Sequence, residues 1–166
     1  RADLEHVVGV YRLLRSDQAA RAGQFYTEDE YQIAALRNSG RNLLELGRSC
    51  VHPDYRGGMA MYQLWSGLAA YVLEHKIEIL FGVASFHGSD LAALAGPLSI
   101  LHTRYLAPTE LRVRAHATGY QTMDLLPADR LDSRAAMLKM PALIKAYLRL
   151  GGFVGSASVV DGTRAR

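Results

Sequence analysis

Several features that would mark a disulfide-stabilised, membrane-spanning or metal-binding protein are missing from this sequence. The single cysteine, Cys50, excludes an intrachain disulfide and fits a reducing compartment. No run approaches the roughly 20 apolar residues that a bilayer span needs. The six histidines are scattered without metal-ligand spacing. No internal repeat, low-complexity segment or nucleic-acid-binding motif stands out. A globular chain without a bound metal is therefore expected.

Both ends of the chain suggest a piece of something longer. The start, Arg1-Ala2-Asp3, carries no methionine and no signal-peptide pattern, and the polar end after Asp161 is abrupt. The 166 residues are nevertheless enough to bury a sizeable core. We expect one domain over residues 1–166.

Positive charge is concentrated in the second part of the chain. Residues 1–54 carry 7 Lys and Arg against 8 Asp and Glu, whereas residues 55–166 carry 12 against 8. Most of this excess is arginine. It favours an acidic partner, such as a phosphate group, an acidic protein or an anionic membrane surface.

Apolar periodicity predicts an alternation of strands and helices. Strands are predicted at residues 6–14, 43–51, 79–86, 111–116 and 153–160. Helices are predicted at residues 28–37, 59–75, 91–106 and 133–150, with a loop at 16–27 and a turn at 53–58. This order indicates an α/β (α+β) fold with a central sheet covered by helices.

Two charged residues interrupt the apolar strand at residues 43–51. Glu45 and Arg48 stand among leucines and Val51, where a charge is costly unless it is paired or used. Residues i and i+3 of a strand point to opposite faces, so these two side chains need not meet. Glu45 is the candidate general base for an amine proton. Structural ion pairing of both residues is the alternative.

A glycine turn, YRGG at residues 55–58, follows that strand and opens the helix predicted at residues 59–75. Backbone N–H groups at a helix N-terminus bind phosphate or pyrophosphate well. Glycine turns are common, so the spacing alone is a weak signal. The position of the turn directly after a charged strand strengthens it.

The strand, turn and helix together resemble the acyl-CoA-binding motif of the GNAT fold of N-acetyltransferases. The segment VHPDYRG at residues 51–57 matches the first half of the motif Val-x-Pro-x-x-Arg-Gly-x-Gly-x-Gly/Ala. Met59 and Met61 stand where that motif has small residues, and bulky side chains there are expected to crowd a pyrophosphate. The resemblance implies the GNAT fold, a central mixed twisted sheet flanked by helices. The two methionines disfavour ordinary acetyl-CoA as donor.

Five segments resemble a narrower family, the ornithine–acyl-carrier-protein N-acyltransferases, which are hemolysin-like relatives of the acyl-homoserine-lactone synthases. They are residues 9–14 (GVYRLL), 23–26 (GQFY), 45–53 (ELGRSCVHP), 64–68 (LWSGL) and 80–86 (LFGVASF). The resemblance covers most of residues 6–161. It implies that a 3-hydroxyacyl chain passes from acyl carrier protein to the α-amino group of ornithine, the first step of ornithine lipid synthesis. It also implies that part of the family's N-terminal region and some C-terminal segment are missing here.

The same resemblance implies partners and a location. No cofactor is expected to be bound permanently, and the donor is an acyl-phosphopantetheine carried by acyl carrier protein, with coenzyme A as the alternative carrier. Ornithine is the expected acceptor. The expected location is the cytoplasm, with peripheral contact with the inner membrane. Nucleic acid is not an expected partner.

Site residues follow from the resemblance as well. Glu45 stands where the lactone synthases carry a glutamate and is expected to be the base. Arg48 is expected to orient Glu45 or to bind a carboxylate or phosphate. A backbone N–H near Cys50 or Val51 is expected to polarise the thioester carbonyl. The Cys50 side chain, which has no evident histidine partner, is expected to be a buried small hydrophobe.

The donor's phosphate and the acceptor involve further residues. Arg56, Gly57 and Gly58 are expected to hold the phosphate of the phosphopantetheine arm. Ser85 and His87 are candidates for the acceptor site, with a structural turn as the alternative. A local basic cluster is expected to be either a dock for the acidic carrier protein or a solvated face, and its members are Arg104, Arg112 and Arg114.

Two other functions remain open from the sequence. One is a GNAT acetyltransferase that uses acetyl-CoA on another amine. The other is a non-catalytic protein that binds lipid or membrane, as the hemolysin-like label suggests. A non-catalytic protein would have no need of Glu45 in an apolar strand.

Overall fold

A computed structural model describes residues 6–159 of the chain. Within these residues, seven strands follow in chain order: β1 Gly9–Arg15, β2 Tyr31–Gln32, β3 Leu43–Val51, β4 Ile79–Phe81, β5 Arg114–Ala115, β6 Tyr120–Thr122 and β7 Ala157–Val159. The α-helices of the same residues are α1 Ser16–Ala22, α2 Ala34–Arg37, α3 Met59–Glu74, α4 Leu91–Arg104, α5 Ser133–Lys139 and α6 Ala142–Arg149. No helix of this part of the chain has the length and apolar character that crossing a membrane requires.

The described chain divides into two compact units. Residues 6–26 and 41–83 form the first unit, which holds β1, α1, β3, α3 and β4. Residues 27–40 and 84–159 form the second unit, with the remaining elements. The single domain expected over residues 1–166 stays a prediction.

A mixed three-stranded sheet in the order β1–β3–β4 is the frame of the first unit. β1 runs antiparallel to β3, whereas β3 and β4 pair in parallel from Leu43↔Ile79 to Glu45↔Phe81. β3 continues to Val51, so its β4 side has no paired strand beyond Glu45 within residues 6–159. We call this divergence of β3 from β4 the fork. The predicted class, a mixed sheet with flanking helices, is confirmed.

Helix α3 covers one face of this sheet. Its apolar residues recur at helical spacing, and Trp65, Leu68 and Val72 pack with Leu44 and Leu46 of β3. Full burial of a leucine side chain contributes about 1.5–3 kcal/mol, so these contacts hold the helix on the sheet. The predicted helix and its apolar face are confirmed.

Arg15, at the end of β1, ties the sheet to α3 and begins α1. Its Nη1 donates to the hydroxyl of Tyr71 at 2.6 Å, and its Nε donates to Asp17 at 2.9 Å. The hydrogen bond and charge of Arg15 hold the pKa of the Asp17 carboxyl below its usual range. The Arg15 N–H also donates to the Gln18 side chain at 3.0 Å, which caps the following helix. The prediction of a loop at residues 16–27 is therefore wrong for Ser16–Ala22, which form α1.

The second unit is built around α4. Leu98, Ile100 and Leu101 of this helix share one buried core with Met140 and Ile144. The helix runs unbroken from Leu91 to Arg104 with Pro97 inside it. Two short antiparallel ladders, β2–β5 and β6–β7, belong to the same unit.

Several predicted elements of the second unit differ from the observed ones. The helix predicted at residues 133–150 is two helices, because Met140 precedes Pro141 and has an extended backbone with φ −65° and ψ 132°. Of the helix predicted at residues 28–37, only Ala34–Arg37 is α-helical, and β2 precedes it. The strand predicted at residues 153–160 is shorter, and β6 was not predicted.

Candidate active site

Glu45 is a buried carboxylate in β3, beside the fork, and only 1% of its side chain is exposed. Its Oε2 accepts a hydrogen bond from the N–H of Tyr26 at 3.0 Å and lies 3.7 Å from Nη2 of Arg12. Leu44 and Leu46, on either side of it, pack with α3, so strand alternation directs Glu45 to the opposite face. The charge that stood out in the apolar strand is thus paired and hydrogen-bonded.

Arg12 on β1 supplies that pairing and was not predicted from the sequence. Its Cζ lies 4.7 Å from the centroid of the Tyr26 ring, within cation–π distance. The guanidinium passes over Gly47, where an added Cβ would lie 2.8 Å from Nη2. The Nε of Arg12 is buried and has no hydrogen-bond partner among the described residues. One signal was available, since Arg12 interrupts an apolar strand as Glu45 does.

The pairing of β1 with β3 contains a β-bulge. Val10 and Arg12 are two residues apart on β1, but their partners on β3, Cys50 and Gly47, are three apart. The extra residue lies next to Arg48, whose φ of +53° is in the left-handed region. The bulge therefore shifts the alternation of side chains between the two ends of β3.

Arg48 and Glu45 each contact Tyr26. The Cζ of Arg48 lies 5.6 Å from the centroid of the Tyr26 ring, and the N–H of Tyr26 is bonded to Glu45. The bulge breaks the regular alternation on which the expectation of opposite faces was based. That Glu45 and Arg48 need not meet stays a prediction. Arg12, Tyr26, Glu45 and Arg48 are referred to below as the Tyr26 cluster.

The turn that follows β3 has space beside it. Gly57 has a φ of +78°, which favours glycine, and a side chain there would meet no atom within 4 Å. Gly58 is the N-cap of α3. The Nε of Arg56 donates to the carbonyl of Val51 at 3.1 Å and so ties the turn to the end of β3. The turn presents the N-terminal N–H groups of a 16-residue helix.

Met59 and Met61 lie in the first turn of α3, after the two glycines. Met59 is 64% exposed and Met61 36% exposed, and Met61 has no atom within 4 Å of a Cβ placed at Gly57 or Gly58. The crowding of a pyrophosphate by these two methionines stays a prediction.

Cys50 and Val51 form the end of β3. Cys50 is exposed, so the expectation of a buried small hydrophobe is wrong, whereas Val51 is buried. The N–H of His52 donates to the carbonyl of Val8, on the β1 side, at 2.8 Å. Because N–H directions alternate along a strand, the N–H of Val51 points to the other side, where β3 has left β4.

The remaining predicted site residues lie in the second unit. Ser85 is half-buried and His87 is exposed. The three arginines of the predicted basic cluster have different surroundings. Arg112 donates from Nε to the carbonyl of Ala107 at 2.9 Å, and Arg114 lies over the ring of Tyr120.

Arg104 instead lines a groove formed by the end of α4 with α5 and α6. The groove has a volume of about 460 Å³, and its cationic side chains are Arg104, Arg134, Lys145 and Arg149. Met137 and Leu138 supply an apolar part of the lining. Leu138 is 73% exposed, which is unusual for leucine. No carboxylate lines this groove within residues 6–159. We call it the cationic groove.

Comparison with known proteins places these features in a sequence context. The acetyltransferase (GNAT) domain family matches residues 1–66, which include the Tyr26 cluster and the glycine turn. An L-ornithine N(alpha)-acyltransferase of Rhodobacter capsulatus is 64% identical over 96% of this chain and 61% of that protein. Proteins of the same name from Brucella abortus and Rhizobium meliloti are 46% and 44% identical, over 95% of this chain.

The chain spans only part of these relatives, between 54% and 61% of their lengths. No solved structure matches it.

Proposed function

We propose, on the premise that the chain belongs to the GNAT-type ornithine N-acyltransferase family, that its protein acylates the α-amino group of ornithine. The acyl chain is a 3-hydroxyacyl group held as a thioester on the phosphopantetheine arm of acyl carrier protein. The product is a lyso-ornithine lipid, the first intermediate of ornithine lipid synthesis. Because the product is a lipid, we place the protein in the cytoplasm with peripheral contact with the inner membrane.

The observation that carries this proposal is the buried carboxylate of Glu45 beside the fork. Attack of the amine on the thioester carbonyl forms a C–N bond and breaks the C–S bond, without an acyl-enzyme. The attacking nitrogen must lose a proton and the leaving sulfur must gain one. Glu45 takes the proton from the nitrogen, directly or through one water, and this proton then passes to the leaving thiolate, which regenerates the carboxylate.

The end of β3 offers a hydrogen-bond donor for the thioester carbonyl. The N–H of Val51 points away from β1 and is therefore not used in the pairing with β1. It can donate to the thioester oxygen as negative charge develops there. Val51 therefore fits this role better than Cys50, whose N–H points towards β1. The phosphate of the pantetheine arm then lies at Arg56, Gly57 and Gly58, against the N-terminus of α3.

The donor assignment is supported by the cationic groove. Its four cations without a lining carboxylate complement an acidic protein, and three of the four are arginines, which pair well with carboxylates. We therefore place the carrier-protein dock at the cationic groove. Of the three arginines predicted for docking, only Arg104 lines this groove.

Charge reversal in the cationic groove is expected to raise the KM for acyl carrier protein but not the KM for a small thioester donor. Arg134→Glu and Arg149→Glu should each raise the KM for acyl carrier protein by about 10-fold, because they remove electrostatic attraction. The KM for a small acyl-pantetheine thioester should stay unchanged. Arg130→Glu, an exposed reversal elsewhere in the second unit, is the matched control. Equal effects on both donors, or a salt-insensitive affinity for the carrier protein, would contradict the dock.

The proposed function as a whole is tested by thioester consumption. The full-length protein is given ornithine with 3-hydroxyacyl carrier protein, with acyl-CoA including acetyl-CoA, or with no donor. Release of free thiol from the carrier protein that depends on ornithine is the expected result. Preference for acetyl-CoA would indicate an acetyltransferase instead. No consumption of either thioester would indicate a non-catalytic lipid-binding protein.

A further inference from the structure

The Tyr26 cluster contains two arginines, whereas the proposed proton transfer needs only the carboxylate of Glu45. Two guanidinium groups, those of Arg12 and Arg48, lie over one aromatic ring at 4.7 and 5.6 Å from its centroid. Arg12 lies near Glu45, but its Nη2–Oε2 distance of 3.7 Å is long for a hydrogen bond. Among the described residues, Arg48 has no carboxylate partner, and the buried Nε of Arg12 has no hydrogen-bond partner.

We propose that Arg12 and Arg48 form a subsite for the carboxylate of the acceptor. The site would then select amino acids whose α-amine and carboxylate are both free, and the carboxylate would hold the α-amine at Glu45. The inference rests on the proposed function, because it assumes that an amino acid is the acceptor. It concerns residues that no comparison assigns.

The arrangement of charge favours an amino acid over a phosphate. An α-amino acid carries its carboxylate and its ammonium group on the same carbon, so its two charges are close neighbours. The Tyr26 cluster likewise places cationic groups and one carboxylate around a single residue. A phosphate at the two arginines would bring only negative charge towards Glu45, whereas an amino acid brings its ammonium group as well.

Gly47 determines where the Arg12 guanidinium can lie. A Cβ at this position would stand 2.8 Å from Nη2 and 3.3 Å from Cζ of Arg12, both at the far end of a flexible side chain. The φ of Gly47 does not lie in the left-handed region, so the backbone at this position accepts alanine. Gly47→Ala should therefore displace the guanidinium while the sheet remains folded. Gly47 is a positioning residue that acts through Arg12.

The test compares ornithine with ornithine methyl ester, in which the carboxylate is masked, using the full-length protein. Arg48→Met should lower kcat/KM for ornithine by about 10- to 100-fold, the loss typical of hydrogen bonds to a charged group. The value for the ester should change far less. The ratio of the two acceptors in the variant is compared with that in the wild type, so the different reactivities of the two amines cancel. The KM of the acyl donor should not change.

Three further variants make the test specific. Arg48→Lys should recover only part of the preference for ornithine, because lysine keeps the charge but loses the planar fork. Gly47→Ala should also lower the preference, through the displaced Arg12. Arg21→Met, which removes an exposed arginine of α1, is the control and should leave the preference unchanged.

Two outcomes would overturn the inference. If Arg48→Met and Gly47→Ala both kept the wild-type preference for ornithine over its ester, the arginines would not bind the carboxylate, although the proposed function would stand. If the wild-type protein acylated neither acceptor with any thioester donor, the proposed function would fail, and the subsite with it.

Discussion

Glu45→Gln is expected to reduce the turnover of ornithine by about 10²- to 10⁴-fold, the contribution typical of general acid–base catalysis. Glutamine has the shape of glutamate and keeps an oxygen that accepts from the N–H of Tyr26. It cannot take a proton from the attacking amine. The loss should therefore fall on kcat, with the KM of the acyl donor little changed. Steady-state kinetics of the full-length protein measures both quantities.

The control for this variant is a carboxylate that is exposed and remote from the Tyr26 cluster. Glu74, the last residue of α3, meets this requirement, and Glu74→Gln should leave kcat unchanged. Thermal unfolding should show that Glu45→Gln remains folded, because the buried hydrogen bond to Tyr26 persists. Full turnover by a folded Glu45→Gln protein would remove Glu45 from the mechanism.

Gly82→Ala is expected to destabilise the protein. Gly82 follows β4 directly, and a Cβ there would lie 2.2 Å from the carbonyl oxygen of Leu46. The obstacle is the backbone of β3, which cannot move aside as a side chain can. Overpacking of this kind costs about 1–3 kcal/mol of unfolding free energy. Alanine restricts the unfolded chain and thereby recovers about 0.4–1 kcal/mol, which is too little to change the sign.

A second glycine provides the matched control. Gly67 lies inside α3, is exposed, and would meet no atom within 4 Å if it carried a Cβ. Gly67→Ala should therefore raise the unfolding free energy by about 0.5–1 kcal/mol, because alanine is the better helix former. Urea denaturation of the two variants should move in opposite directions. A Gly82→Ala protein as stable as the wild type would show that β3 and Gly82 are not in close contact.

The two elements that frame the site were predicted closely from the sequence. β3 spans Leu43–Val51, as its apolar run indicated, and α3 spans Met59–Glu74. The apolar run of β3 and the apolar stripe of α3 meet each other in the structure. In such elements local pattern and tertiary packing agree, which is the condition under which periodicity is reliable.

The elements that were missed depended on single local features. The break before Pro141 follows from the restricted backbone of the residue that precedes a proline. α1 depends on the Arg15–Gln18 cap in a stretch whose polar composition suggested a loop. The bulge at Arg48 results from the register of β1 against β3, which pairwise spacing within one strand does not reveal.

The sequence predicted only part of the candidate site. Glu45 and Arg48 were recognisable because each is a charge in an apolar strand. Tyr26 acts through its backbone N–H and the face of its ring, and neither role is visible in a residue pattern. The groove of α4, α5 and α6 joins Arg104 to residues 30 to 45 positions later, so the arginines close to it in sequence were a poor guide.

The most direct test of the central claim is the identity of the acylated nitrogen. Ornithine labelled with ¹⁵N at either the α- or the δ-nitrogen is incubated with 3-hydroxyacyl carrier protein and the full-length protein. Tandem mass spectrometry then locates the label in the product. The account predicts an amide at the α-nitrogen in the wild-type protein and almost none with Glu45→Gln. An amide at the δ-nitrogen, or no acylated ornithine with any thioester, would contradict it.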